Sequence, residues 1–208
     1  MAYQPLNIDP ATPPTVRRLI ERLETLSFRD VHTMLRLPVL NYRLDAGCNF
    51  ALSHVLLTAV GGISTTLYRK GNNDGERFKG LLTDHYPWNL EPAQNVTASE
   101  GARVIYEVFR NPLTHDLGLD LHNKSKGSKV KIKRMQRQNK NGGLTEKWIE
   151  NLESSPIRPN ISSAVTVRTG VYVLLVEALY WGLRRTVESM TYNPQLMKNA
   201  ETFLAGKL

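Results

Sequence analysis

Cysteine is nearly absent from this chain of 208 residues, with Cys48 its single example. No disulfide can close within it, so its stability has to come from burial, and the count fits a reducing compartment. The first 14 residues lack a basic stretch followed by an apolar run, so no secretory signal is expected and a cytoplasmic location is. The Asn-x-Ser/Thr triplets at Asn95, Asn123 and Asn160 are accordingly read as chance matches. A long uncharged apolar run is missing too. The best span candidate, 163–183, is interrupted by Arg168 and Glu177. An arginine near a bilayer centre costs about 2.5–3.5 kcal/mol even on a lenient scale, so a buried helix is the cheaper explanation and no membrane partner is expected. Gly61-Gly62 lacks the lysine and spacing of a phosphate loop, and no His/Cys/Asp group has zinc spacing. No metal and no cofactor are therefore assigned.

Acidic residues are absent from 123–140, which holds Lys124, Lys126, Lys129, Lys131, Lys133, Arg134, Arg137 and Lys140. The chain has 27 Lys and Arg against 19 Asp and Glu, for a net charge of +8. Removing these eight leaves 19 against 19, so the whole excess is local. A local block makes a directed potential, suited to a phosphate backbone and sensitive to salt; a solvated basic loop is the plainer alternative. Lys129-Val130-Lys131-Ile132-Lys133 alternates charged and apolar residues, the period of a strand with one wet face. Ser125-Lys126-Gly127-Ser128 supplies a turn before it, so a short basic β-hairpin is expected near 120–135. Few aromatics are interleaved, which does not favour a base-stacking platform.

Elsewhere the pattern is helical. Thr12-Pro13-Pro14 resembles a cap followed by proline at the first helical position. Ser27-Phe28-Arg29-Asp30 looks like the cap of a second helix that Pro38 ends. Core helices are expected at about 49–68, 97–111 and 162–190, the first with a bend at Gly61-Gly62, the second opened by the capping box Thr97-Ala98-Ser99-Glu100. Shorter helices are expected at 76–86, at 145–152 and after Pro194. The fold class is mainly α: a single helical domain over 1–208, with a basic insertion at about 121–143.

The cluster that could carry chemistry is Arg110-Asn111-Pro112-Leu113-Thr114-His115, at the end of the capped helix. Pro112 has no N–H and crowds the carbonyl of Val108, so the helix should kink or stop there. Asn111 and His115, four apart, share a face if the turn persists. Arginine is a permanent fork-shaped cation for phosphate, and histidine moves protons near neutral pH. Together these groups suit metal-independent cleavage of RNA by its own 2′-hydroxyl, with the arginine stabilising the charged transition state. The plainer reading makes Arg110 a cation at a helix C-terminus, favourable by about 0.3–1 kcal/mol. His54 is read as a core histidine and Cys48 as a packing residue. Asp84-His85-Tyr86 is read as a helix end, His122 as a neighbour of the basic segment, and Tyr172, Tyr180 and Trp181 as core or interface residues.

Arg110, Asn111 and His115 resemble the Arg-x4–6-His motif of the HEPN superfamily, including the polar residue that often follows the arginine. The resemblance covers roughly 45–120 plus the long helix at 162–190, by architecture. The proline inside the motif and the basic insertion after it depart from the minimal pattern. It implies a HEPN-type helical bundle, and a metal-independent endoribonuclease in which two copies of the motif face each other across a homodimer. It further implies Arg110 and His115 as the catalytic pair with Asn111 in support, and a toxin–antitoxin or antiphage setting with an antitoxin or other protein partner. Some members are inactive, so a non-catalytic nucleic-acid- or nucleotide-binding module, or a scaffold, is the alternative.

Overall fold

The computed structural model describes residues 3–40, 48–90, 96–115, 129–133 and 160–206, with the side chains of 36–40 and 115 left aside. The chain is mainly helical with a small three-stranded sheet. Helices α1 (Pro14–Leu23) and α2 (Arg29–Leu40) are joined by a π-helical turn, Glu24–Phe28. Helix α3 (Asn49–Ile63) runs into a second π turn, Ser64–Tyr68. Helix α4 (Asp74–His85) follows. Helix α5 (Ala98–Val104) passes through a third π turn, Ile105–Arg110, into α6 (Asn111–His115). Strands β1 (Lys129–Lys133), β2 (Val165–Arg168) and β3 (Val171–Leu175) precede α7 (Val176–Thr191) and α8 (Pro194–Ala205).

The π turns change two boundaries expected from the sequence. Ser27 sits inside the first of them and caps nothing, so the expected break between the two N-terminal helices is a continuous, widened turn. Pro112 does not end its helix, which continues to His115. A wide turn lies directly before it, where the Asn111 N–H reaches back to the Tyr106 carbonyl. The extra residue in that turn gives the pyrrolidine ring room over Val108 that a tight α turn would deny. Pro38 likewise lies within α2. In the second π turn the hydroxyls of Ser64 and Thr65 bond back to the Gly61 carbonyl at 2.9 and 3.0 Å, and Thr66 to the Gly62 carbonyl at 2.6 Å. These side chains satisfy carbonyls that the altered ladder releases. At the first helix the cap residue is Pro13, with no side-chain cap, and Pro14 takes the first position.

Helix α3 is central, with Leu52, Leu56, Leu57, Val60 and Ile63 buried. It packs against α2, α4, α6, α7 and β1. Through its π turn it forms the stretch 49–68, the one described helix long and apolar enough, by length and composition, to cross a membrane; half of that stretch is buried inside the fold. Buried residues from the N-terminal arm to α8 form one hydrophobic cluster.

The largest correction falls on 162–190, expected as one helix. Residues 165–168 and 171–175 are strands, and the helix begins at Val176. The segment Val165-Thr-Val-Arg-Thr-Gly-Val-Tyr-Val-Leu-Leu175 is rich in β-branched residues. It is broken by Gly170, whose φ of +67° suits a tight reversal. An apolar run bounded this way cannot be told from a buried helix by periodicity alone. The 163–183 membrane candidate falls with it. β1 is the strand expected from its alternation, and its partner among the described residues is distant in sequence. It pairs in parallel with β3, Lys129 opposite Val171, and β3 pairs antiparallel with β2. The expected turn at 125–128 and helix at 145–152 lie outside the described residues.

Candidate functional site

Thr97 opens α5 by accepting the Glu100 N–H at 3.2 Å, as the capping box predicts. Ala102, Ile105 and Phe109 then face the core, and Pro112 and Leu113 wedge the helix end into it. This anchoring leaves Arg110 and Asn111 half-buried at the rim. Arg110 Nη1 donates to Asn111 Oδ1 at 3.0 Å, and the guanidinium lies 5.4 Å from the Tyr106 ring centroid. Lys79 lies 5.5 Å from the centroid of that same ring. Glu107 is held by Arg103 at 3.0 Å and by Lys79 at 3.9 Å. Around Tyr106 and Glu107 there are thus three cations, Lys79, Arg103 and Arg110, and one carboxylate.

The structure therefore brings Arg110 and Asn111 together. The bond uses the amide oxygen, leaving the Asn111 N–H groups as donors for an anion or a ring nitrogen. His115 is placed on the backbone of α6, and its side chain lies outside the described residues. Of the basic set, Lys129, Lys131 and Lys133 are exposed on β1. Lys124, Lys126, Arg134, Arg137, Lys140 and His122 lie outside the described residues. β3, the partner of β1, packs against the π turn that ends on Arg110. The sheet and the turn Ile105–Arg110 are thus neighbours in space, though far apart in the chain.

Other residues take roles the sequence did not assign. Asp84-His85-Tyr86 is split three ways. Tyr68 Oη donates to Asp84 Oδ2 at 2.6 Å, with Lys70 at 3.2 Å from the same oxygen. The Tyr68 hydrogen bond is the main cause holding the Asp84 carboxyl below its ordinary range, and burial followed by that bond raises the Tyr68 phenol. The His85 ring stands edge-on to Tyr68 at 5.5 Å, and burial pushes its pKa down against the pull of Asp84. The Tyr86 hydroxyl reaches the carbonyls of Ile161 at 2.8 Å and Ala178 at 2.9 Å, tying α4 to α7. His54, expected in the core, is exposed on α3. Its i±3 and i±4 neighbours Ala51 and Thr58 are exposed too, so it lies on the wet stripe of that helix.

A second polar centre lies where the N-terminal arm crosses α7. Arg184, 5% exposed, donates to Tyr3 Oη at 2.6 Å and to the Gln4 carbonyl. Tyr3 donates in turn to Glu24 Oε1 at 2.9 Å, which also accepts the Leu6 N–H at 2.8 Å. Tyr180 is fully buried beside it and its phenol is raised to about 12, chiefly by burial. Trp181 and Tyr172 are only partly buried against the core. The pair Arg184-Arg185 directly after an apolar, aromatic helical stretch was the available signal for this centre. Among the described residues no group of three His, Cys, Asp or Glu side chains is placed to hold a metal ion.

The chain matches no known protein family, no curated protein and no solved structure.

Proposed function

We propose that this protein binds RNA and cleaves it without a metal, as a homodimer of HEPN type, with Arg110, Asn111 and His115 as its working residues. The observation that supports this reading best is the Arg110–Asn111 pair. A guanidinium is fixed by the adjacent amide at 3.0 Å, backed by an aromatic ring, and set among Lys79 and Arg103 at a helix end whose last residue is a histidine. An arginine so held loses less freedom when it meets a phosphate.

In this mechanism the imidazole of His115 takes the proton of a ribose 2′-hydroxyl. The freed oxygen attacks the adjacent phosphorus, and the bond to the 5′ oxygen breaks. Arg110 and the Asn111 N–H groups hold the non-bridging oxygens as negative charge builds on them. The departing oxygen takes a proton, supplied by the second copy's imidazole where two motifs face each other. The products are a 2′,3′-cyclic phosphate and a 5′-hydroxyl. On the same reading the protein works in the cytoplasm, and a cognate protein partner covering this helix end would silence it.

The test is cleavage of a labelled RNA pool in excess chelator. Wild type is expected to leave 2′,3′-cyclic ends, and His115→Ala and Arg110→Ala to lose cleavage by about 100-fold or more, the weight of a positioned general base or of a charge-stabilising donor. Sedimentation of the active species is expected to give a dimer. A folded, dimeric wild type that binds RNA and cleaves none of the pool would refute the enzymatic reading in favour of a binding module.

A further inference from the structure

The register of the sheet assembles a surface whose parts are far apart in the chain. Lys129 is opposite Val171 and Lys131 opposite Val173; across the next ladder Val171 is opposite Arg168 and Val173 opposite Thr166. Registered residues share a face of the sheet. One face therefore carries Lys129, Lys131, Lys133, Val171, Val173, Thr166 and Arg168. The other carries Val130, Leu174 and Val165, which are buried in the core. On the outer face the three lysines and Arg168 are exposed, and the valines between them are half-buried. None of the three strands contains an acidic residue.

We infer that this outer sheet face is a docking platform for single-stranded RNA. The inference rests on the RNA reading above and names the surface that holds the strand. Alternate lysines along β1 stand about 6.6 Å apart. That is comparable with the phosphate-to-phosphate step of a strand drawn out of its stack, so one phosphate can meet each ammonium. The valine row on β3 lies one strand spacing away, about 4.8 Å. It offers an apolar bed at the depth where unstacked bases would lie. Arg168 closes the far edge, with Thr166 beside it as a hydroxyl donor. A duplex presents phosphates and sugars but keeps its base faces stacked inside, so it would leave the valines unused. Contact through valine does not distinguish one base from another, so weak sequence preference is expected. β3 also packs on the turn Ile105–Arg110, which links the sheet to the helix that carries the proposed cleavage residues.

The test uses the full chain with a short unstructured RNA, a hairpin duplex of the same composition, and vesicles of phosphatidylserine and phosphatidylcholine, read by fluorescence anisotropy and co-sedimentation. On single strands each neutralised phosphate contributes a slope of about −0.7 in log K against log salt. Four cations then predict about a 50-fold loss of affinity between 50 and 200 mM salt. Arg168→Gln is expected to weaken that slope by about 0.7, while Arg168→Lys keeps it. Arg22→Gln, which removes an exposed cation from α1, is expected to leave it unchanged. Val173→Ser is expected to weaken single-strand binding several-fold with the slope preserved. An unchanged slope in Arg168→Gln overturns the proposal, as does tighter binding of the duplex, or vesicle binding that Arg168→Gln abolishes. Cleavage that persists with the Arg168→Gln slope unchanged sinks this surface and spares the nuclease. Arg168-dependent binding without cleavage by wild type does the reverse, and no RNA binding at all sinks both.

Discussion

Glycine-to-alanine substitution at two places in this fold should act with opposite sign. Gly182 lies in α7 directly under Tyr86. A Cβ there would sit 2.2 Å from both Cζ and Oη of that ring, well inside contact distance. The ring cannot swing aside cheaply, because Tyr86 is 4% exposed and its hydroxyl is tied to the Ile161 and Ala178 carbonyls. Overpacking of this kind costs about 1–3 kcal/mol, and stranding buried hydrogen-bonding groups about 1–3 kcal/mol more. Alanine returns about 1 kcal/mol as the better helix former. The expected net cost is about 3 kcal/mol, or a Tm lower by about 6–12 °C for a chain of this size. At Gly61 and Gly62 an added Cβ meets nothing within 4 Å, and both residues lie inside α3. Alanine there should stabilise by about 0.5–1 kcal/mol per site, raising Tm by about 1–4 °C. Scanning calorimetry of Gly182→Ala, Gly61→Ala and Gly62→Ala decides the matter. If Gly182→Ala melts at or above wild type, the packing of Tyr86 against α7 is not as described.

Two further outcomes concern stability. Burial lowers the His85 pKa below its ordinary 6.5, so the unfolded chain takes up a proton before the folded one does. This contribution is absent above about pH 6.5 and turns against the fold as pH falls below it. His85→Gln should therefore lose less Tm than wild type between neutral and mildly acidic pH, and parallel curves would refute the assignment. Tyr3→Phe removes the hydroxyl that both Arg184 and Glu24 use. It should cost about 1–3 kcal/mol in urea unfolding, whereas a wild-type midpoint would mean that the arm does not hold that pair.

Local pattern and tertiary arrangement divide this protein in an instructive way. The capped helix from Thr97, the apolar helix over 49–68, the helix after Pro194 and the strand character of Lys129–Lys133 follow from capping, periodicity and alternation, which act over a few residues. The candidate cluster was visible for the same reason, since Arg110, Asn111 and His115 lie within six consecutive residues. The segment 165–175 was not. Its continuous apolar character fits a buried helix or a buried strand, and the pairing of its two halves with each other and of β3 with β1 favours the extended form. The helix through Pro112 was hidden because the π turn that makes room for it has no strong local signature.

By itself, then, the sequence determined where the helices at Pro14, Asn49, Ala98 and Pro194 start, that no disulfide could bind the chain, and that its excess charge is concentrated in one stretch. It also set side by side the three residues proposed for chemistry. These are properties of neighbouring residues and of composition. Only the tertiary structure decided that β1 joins β3 in parallel, which sets Arg168 in one face with lysines more than 30 positions earlier. Only it decided that Tyr3 bridges Glu24 and Arg184, and that Tyr86 occupies the space Gly182 leaves open. Strand partners, buried polar bridges and close backbone approaches join residues distant in the chain. Their free energy exists only once the intervening chain has closed, and no local pattern records it.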